Sequence, residues 1–173
     1  MRYGALLLAI GTGLALLWGG ACRGPAPGAD GPMVLRQAFP TADGLQPMPL
    51  PASRPAAVTS AWIVRQANAA AGYGLRLHGR TRSGRFQAFL VLGPDLAVRQ
   101  VNVERYVGDR GGAIRRSAFE DQFRGKTPLS DLRIGHDIDA VTGATISSRA
   151  LTRAVREGTR WLHARQAQQA QER

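Results

Sequence analysis

The chain has 173 residues, of which 23 are Lys or Arg and 12 are Asp or Glu, so its formal net charge is +11. This length fits one modest globular domain, and a single cysteine excludes an intrachain disulfide framework and a cysteine-based zinc site. The mean hydropathy of −0.18 and the presence of one apolar stretch, near the N-terminus, exclude a multi-pass membrane protein.

Residues 1–21 have the pattern of an export signal. A basic residue precedes an apolar run over 5–18, which matches the core of a signal peptide and is shorter than a comfortable transmembrane helix of ~20 residues. Cys22 follows three small residues, an arrangement that resembles the lipobox of bacterial lipoproteins, although Gly19 stands where Leu or a similar residue is usual. We therefore expect an exported protein, lipid-anchored through Cys22 on the periplasmic face of a bacterial membrane. An uncleaved N-terminal anchor and free release after Ala21 are the alternatives.

Arginine accounts for all of the basic residues except Lys126. Its guanidinium binds carboxylates and phosphates in a bidentate way, which raises the question of nucleic-acid binding. An exported protein does not meet genomic DNA, and the few Tyr residues without interleaved Lys give no sign of a stacking platform. We expect no nucleic-acid partner, and the arginine excess is either a compositional bias or a means of binding anionic surfaces.

The segment 22–57 holds eight of the ten prolines. This density is typical of an extended chain with little regular structure, so it predicts a lipid-anchored tether between the membrane and the domain. The short apolar piece 33–35 and Phe39 leave open that part of the tether docks on the domain.

Alternating apolar residues predict four strands in the domain that begins at residue 58. The separators are rich in turn residues and short enough to join neighbouring strands antiparallel, which predicts a three- or four-stranded meander. One separator is residues 68–74, in which Gly72 and Gly74 are interpreted as part of a hairpin turn rather than of a dinucleotide-binding loop. The predicted strands cover residues 61–64, 75–78, 86–92 and 97–103.

Two helices are predicted after the strands. A capping box formed by Ser117 and Glu120 predicts the start of a short helix. An apolar stripe with arginines off it predicts a long amphipathic helix from about Ile146 onwards, with fraying over 166–173. Strands followed by helices define an α+β single domain over 58–165, in which an antiparallel sheet packs against the short helix and the long C-terminal helix.

The stretch that is most informative about function is Asp-Ala-Val-Thr-Gly-Ala-Thr-Ile, residues 139–146, directly before the long helix. Gly143 and Ala144 keep this turn small, so the backbone can approach another molecule closely. Thr145 then lies at or just before the helix N-terminus, where free amides and the helix dipole favour a phosphate. Taken alone, the turn also fits a structural role in which Thr145 or Ser147 caps the helix.

The Asp-x-x-Thr-Gly-Ala-Thr run resembles the flavinylation motif of the FMN-binding domain family, which includes subunits of the sodium-translocating NADH:quinone oxidoreductase and of the Rnf complex. The resemblance extends over about residues 58–158. It implies that a flavin transferase, using FAD and a metal ion, attaches FMN covalently to Thr145 through a phosphoester. It also implies a cofactor site around that residue, formed by Asp139, Thr142, Gly143, Ala144 and Ile146.

A second glycine-rich segment, residues 106–112, follows the last predicted strand. Exported members of the family often have a loop of the type Tyr-Arg-Glu-x-x-Gly here, and this chain has Val107 and Gly108 in place of the charged pair. An ordinary solvent-exposed turn is the alternative to a flavin contact. The resemblance implies that four residues of this segment contact the flavin: Tyr106, Arg110, Gly111 and Gly112.

Together with the export signal and the tether, the resemblance implies an exported, membrane-tethered flavoprotein that transfers electrons between redox partners, rather than a stand-alone enzyme. Its expected partners are the flavin transferase during maturation, membrane or periplasmic electron-transfer proteins, and the membrane through a lipid or N-terminal anchor. No metal site is expected, because His78, His136 and His163 lack ligand spacing, and no catalytic residues are assigned. The alternatives are a non-redox basic lipoprotein that binds anionic ligands and an FMN-dependent reductase.

Overall fold

The computed structural model describes residues 33–171. The export signal, Cys22 and the first part of the expected tether lie outside the described residues. None of the helices in the described part combines the length and the hydropathy that a membrane span needs. In chain order the elements are α1 Met33–Ala38, β1 Gly44–Pro47, β2 Val58–Gln66, β3 Ala69–Thr81, β4 Gly84–Leu92, β5 Val98–Val107, a 3-10 helix Gly112–Arg115, α2 Ser117–Glu120, a second 3-10 helix Asp121–Phe123, and α3 Thr145–Gln171.

The five strands form one antiparallel sheet in the order β1-β2-β3-β4-β5, so each strand pairs with its neighbour along the chain. The α+β fold class is confirmed, and the meander has one strand more than the sequence predicts, because β1 comes from the proline-rich segment. The interpretation of Gly72 and Gly74 as a turn is wrong, since both lie inside β3. The turn between β2 and β3 is instead Ala67–Asn68, with φ of 47° and 65°, the sign that a tight hairpin turn of this length requires.

Gly72 and Gly74 make room for α1 on one face of the sheet. A Cβ atom on Gly72 would lie 2.2 Å from Cζ of Phe39, and one on Gly74 would lie 2.6 Å from Cδ1 of Leu35. Leu35 is fully buried, in a cluster with Trp62 and other side chains of this face. This part of the expected tether therefore differs from an extended chain, because its apolar residues are buried against the sheet.

The opposite face of the sheet packs against α3. Leu75 and Leu77 lie on the other face of β3 from the two glycines. Both leucines contact the helix and are fully buried. A Cβ atom on Gly158 of α3 would lie 3.2 Å from each of these leucines, so the glycine lets the helix approach the sheet closely. The helix continues to Gln171, through most of the segment for which fraying is expected.

The short helix α2 begins at Ser117, but the capping box is not formed. Arg116 occupies the capping position and no side chain caps the helix. Oε1 of Glu120 instead accepts a hydrogen bond of 2.7 Å from the amide of Val103 in β5. The capping-box prediction is therefore wrong, because the carboxylate of Glu120 accepts from a strand amide instead of from the helix. Burial raises the pKa of Glu120, and this hydrogen bond offsets the rise only in part.

Candidate functional site

The motif turn, Val141–Ala144, connects the long loop after α2 to α3. The amide of Ala144 donates to the carbonyl of Val141 at 2.9 Å, which closes a four-residue turn. Gly143 has φ of +77°, the conformation that a type II turn requires at this position. A Cβ atom on Gly143 would meet nothing within 4 Å, so the backbone conformation, and not crowding, calls for glycine here.

Two side chains that the sequence analysis missed fix this turn. Oγ of the buried Ser148 accepts from the amide of Val141 at 3.1 Å and donates to the carbonyl of Ala144 at 3.0 Å. The side-chain amide of Gln122 forms two hydrogen bonds with the backbone of Asp139: it accepts from the backbone amide at 2.6 Å and donates to the carbonyl at 3.3 Å. No local signal identifies Gln122, because it lies 17 residues before its partner.

Thr145 is the first residue of α3, as the sequence predicts, and its side chain is exposed. Within residues 33–171 no group forms a hydrogen bond with its hydroxyl. Asp139, Thr142 and Gly143 are also exposed, and Ile146 is 52% exposed, whereas Ala144 is buried. The hydroxyl thus points to the outside at the end of a 27-residue helix, where free amides and the dipole favour negative charge.

The glycine-rich loop after β5 packs on the first turn of α3. The hydroxyl of Tyr106 donates to the carbonyl of Arg110 and lies 3.1 Å from Oγ of Ser147. Gly111 has φ of +94°, and a Cβ atom there would lie 2.2 Å from Oγ of Ser147. The fold therefore brings Tyr106 and Gly111 to within two residues of Thr145 along the helix, and Gly112 packs beside the ring of Tyr106.

The hydroxyl of Tyr106 is held by more than one partner. Burial raises its pKa, but hydrogen bonds with Ser147, Ser83 and Thr81 outweigh burial and leave the pKa below its ordinary value. The last two partners lie in the β3–β4 hairpin, so one side chain connects this hairpin, the glycine-rich loop and α3. The side chain of Arg110 is exposed, and only its backbone takes part in this contact.

Asp137 fixes the loop that leads into the motif. Its carboxylate accepts hydrogen bonds from the amides of Leu132 at 3.0 Å and Arg133 at 2.8 Å, and lies 3.7 Å from Nζ of Lys126. Burial raises the pKa of Asp137, but these bonds and the lysine charge outweigh it and hold the pKa below its usual range. Within residues 33–171 no three His, Cys, Asp or Glu side chains are grouped to hold a metal.

Beside Ile146 opens a cleft of about 570 Å³, called the inner cleft, between α3 and the β3–β4 hairpin. Half of its twelve lining residues are arginine, and none is acidic. The exposed hydroxyl, the helix amides and these guanidinium groups together fit a phosphate ester on Thr145 and the anionic group that it carries. The lining residues are Arg80, Thr81, Arg82, Leu132, Arg133, Ile134, Ile146, Arg149, Ala150, Thr152, Arg153 and Arg156.

The fold and the site define an α+β domain whose long helix begins beside an arginine-lined cleft. Residues 81–160 match the model of the family described as FMN-binding domain. This part of the chain, which includes the motif, is therefore similar to the FMN-binding domain family, and the resemblance stated above is confirmed over these residues.

The fold is similar to the crystal structure of NqrC from Shewanella oneidensis. The TM-score is 0.51 and the sequence identity is 15%, over 70% of this chain and 80% of that chain. At this identity the likeness shows the fold alone. A comparison with curated proteins gave no match.

Proposed function

We propose that this protein is an exported flavoprotein, tethered to the membrane, that carries FMN covalently on Thr145 and transfers electrons between redox partners. The FMN-binding domain match is the basis for the cofactor. Bound FMN supplies one- and two-electron transfer, while the protein binds and orients it. In this proposal the chain is an electron-transfer component and not a stand-alone enzyme.

One observation carries the covalent attachment: Thr145 presents a free, exposed hydroxyl at the start of α3, in the position of the family motif. By the resemblance, a flavin transferase joins this oxygen to the flavin phosphate of FAD, so that AMP leaves and the hydroxyl loses its proton. The ester keeps a negative charge, which the helix amides and the neighbouring arginines stabilise.

The burial of the two serines that follow it in the motif supports Thr145 as the acceptor. Ser147 is 1% exposed and contacts Tyr106, and Ser148 is fully buried and holds the motif turn. Neither is accessible to a transferase without unfolding the turn. Thr142 is exposed and is therefore the alternative acceptor to test.

The remaining residues of the site have supporting roles in this proposal. The arginines of the inner cleft give the site a positive potential, which favours negative charge on a bound flavin. Tyr106, Gly111 and Gly112 hold the glycine-rich loop against α3, next to the attachment point. Arg110, whose exposed side chain extends from this loop, is the residue available there to approach an anionic group.

For the anchor, we propose a lipid on Cys22. Helix α1, which begins at Met33, is docked on the sheet, so the stretch between Cys22 and Met33 would link the domain to the lipid. Eleven residue steps span at most about 40 Å. Such a tether keeps the domain close to the membrane and raises its effective concentration for membrane partners.

The test is mass spectrometry of the tryptic peptide 134–149 from protein matured in its own host. We expect the mass of one FMN less one water on this peptide, fragmentation that assigns it to Thr145, and a flavin colour that survives denaturation and desalting. Thr145→Val should abolish the modification and leave the unfolding midpoint nearly unchanged, because the side chain is exposed. Thr145→Ser is the matched control and should retain flavin; denaturation-resistant FMN in the Val variant would move the attachment to Thr142.

A second candidate function rests on the arginines of the inner cleft, which also fit a non-redox module that binds anionic ligands. The visible absorbance of bound flavin distinguishes the two functions. Natively matured protein that is colourless, with an unmodified peptide 134–149, would favour the second.

A further inference from the structure

A second cleft adjoins the inner cleft along α3. This outer cleft has a volume of about 770 Å³ and shares Arg80, Ala150 and Arg153 with the inner cleft. The two clefts therefore adjoin, and together they are called the arginine groove, which follows α3 from Ile146 to Glu157. At 1.5 Å per residue this stretch of helix is about 16 Å long.

Positive charge in the arginine groove is concentrated and mostly unpaired. The outer cleft adds two arginines to the six of the inner cleft, and its one lining acid is Glu157. Within residues 33–171 only two of these arginines lie within ion-pair distance of an acid: Arg133 at 3.1 Å from Asp131, and Arg153 at 3.9 Å from Glu157. The other guanidinium groups face the groove or the solvent without a carboxylate partner in the described chain.

This arrangement of charge works against local stability. Arg80 and Arg85 are direct cross-strand partners in the β3–β4 ladder, and like charges in such pairs are destabilising. Arg149 and Arg153 are four residues apart on α3, where like charges also repel, and the first turn of this helix has no acidic residue although the dipole favours one there. Local rules broken together at one place are typical of a functional surface.

We propose that the arginine groove is the docking site for an extended acidic segment of a protein redox partner. This inference rests on the proposed electron-transfer function, because a partner seated in the groove lies beside Ile146, the residue next to the proposed attachment point. About five residues of extended chain span 16 Å. The single phosphate of the proposed ester pairs with few of the eight arginines, and alternate carboxylates along such a segment pair with those that the ester leaves free in the two clefts. A flat lipid surface does not enter a concave groove, which favours a protein segment as the occupant.

Guanidinium–carboxylate pairing also suits the kinetics of a carrier. Arginine binds carboxylates in a bidentate way, while exposed pairs contribute little energy each and are screened by salt. Complementary charge therefore speeds encounter and orients the partner without making the complex long-lived.

The experiment uses the full chain and a fluorescently labelled peptide of about ten glutamates, longer than the groove. Binding is followed by anisotropy at low and high ionic strength. The groove variant is Arg80→Gln with Arg156→Gln, which removes one charge from each wall. The matched control is Arg124→Gln with Arg160→Gln, which removes the same charge from exposed positions that do not line the groove.

We expect the groove variant to bind the peptide about fivefold more weakly and the control to change by less than about twofold, with binding lost at high salt in all proteins. Unfolding midpoints of both variants verify that each is folded. Equal weakening in the two variants would overturn the proposal, because net charge alone would then explain binding.

A second arm uses vesicles that contain phosphatidylglycerol. Loss of vesicle binding in the groove variant, with peptide binding retained, would assign these arginines to anionic lipid and also overturn the proposal. Peptide binding does not require flavin, so a failure of covalent attachment at Thr145 and a failure of docking are observed separately.

Discussion

Gly72 and Gly74 lie in the sheet beneath α1, whereas Gly143 lies in the exposed turn before α3, and the two regions use glycine for opposite reasons. The sheet glycines are needed for space, because the side chains of Phe39 and Leu35 occupy the positions where their Cβ atoms would be. Gly143 has open space around it and is needed for its positive φ. The packed region is thus specified by volume, and the motif turn by backbone conformation and hydrogen bonds that leave its outer side chains available to a ligand.

The largest loss of stability is expected at Gly72, where a side chain has no room. Gly72→Val places a side chain where Cζ of Phe39 and the carbonyl of Leu92 lie at 2.2 and 2.6 Å from the Cβ position. Overpacking of this kind costs about 2–3 kcal/mol, measured by chemical denaturation. Gly44→Val, in the exposed strand β1 with nothing within 4 Å of its Cβ position, is the control. A similar loss in both variants would show that strand conformation, and not α1 docking, is responsible.

At the motif turn, loss of a hydrogen bond should cost less. Ser148→Ala leaves the amide of Val141 without its partner, which we expect to cost about 1–2 kcal/mol in the free energy of unfolding and to reduce flavin loading. Ser117→Ala is the matched control, because Ser117 makes no capping bond, and it should change stability by less than about 0.5 kcal/mol. If Ser117→Ala were the more destabilising of the two, the described roles of both serines would be wrong.

Backbone conformation at Gly143 offers a smaller effect. Gly143→Ala forces a Cβ atom into a left-handed conformation at φ +77° and should cost about 1 kcal/mol. Gly143→Asn should cost less, because Asn tolerates this region. Equal costs for the two variants, or a larger cost for Asn, would indicate crowding at the turn and remove the contrast with Gly72.

The smallest effect is a pH dependence at Asp137, in the loop before the turn. Its folded pKa is lowered relative to an unfolded value of about 3.9. The ionised carboxylate therefore stabilises the fold at pH values above the unfolded pKa, and this contribution is lost as the pH falls through the folded pKa. The stability difference between wild type and Asp137→Asn should be constant near neutral pH and shrink below about pH 4. A difference that stays unchanged in acid would mean that the carboxylate acts through shape and not through charge.

The central strands and the long helix were predictable because their signals are local. Alternation along β3, the continuous apolar run of β4 and the apolar stripe of α3 follow from which side chains are buried. The start of α3 at Thr145 follows from the turn before it. Helix α1 and strand β1 were not predictable from local sequence, because their apolar runs are short and their structure depends on packing or pairing with other strands of the sheet. The capping box failed for a related reason, because the strand amide of Val103 competes for the carboxylate of Glu120.

The sequence by itself determined the α+β class, the motif around Thr145 and the excess of arginine, because each depends on residues that are neighbours in the chain. Only the tertiary structure decided which distant groups meet there. Ser147 meets Tyr106 across 41 residues, and Asp139 meets Gln122 across 17. The arginines of β3, β4 and α3 likewise face one groove only after the helix has packed on the sheet, because the burial of Leu75, Leu77 and Val155 sets the position of α3 and thereby brings the separate charges together.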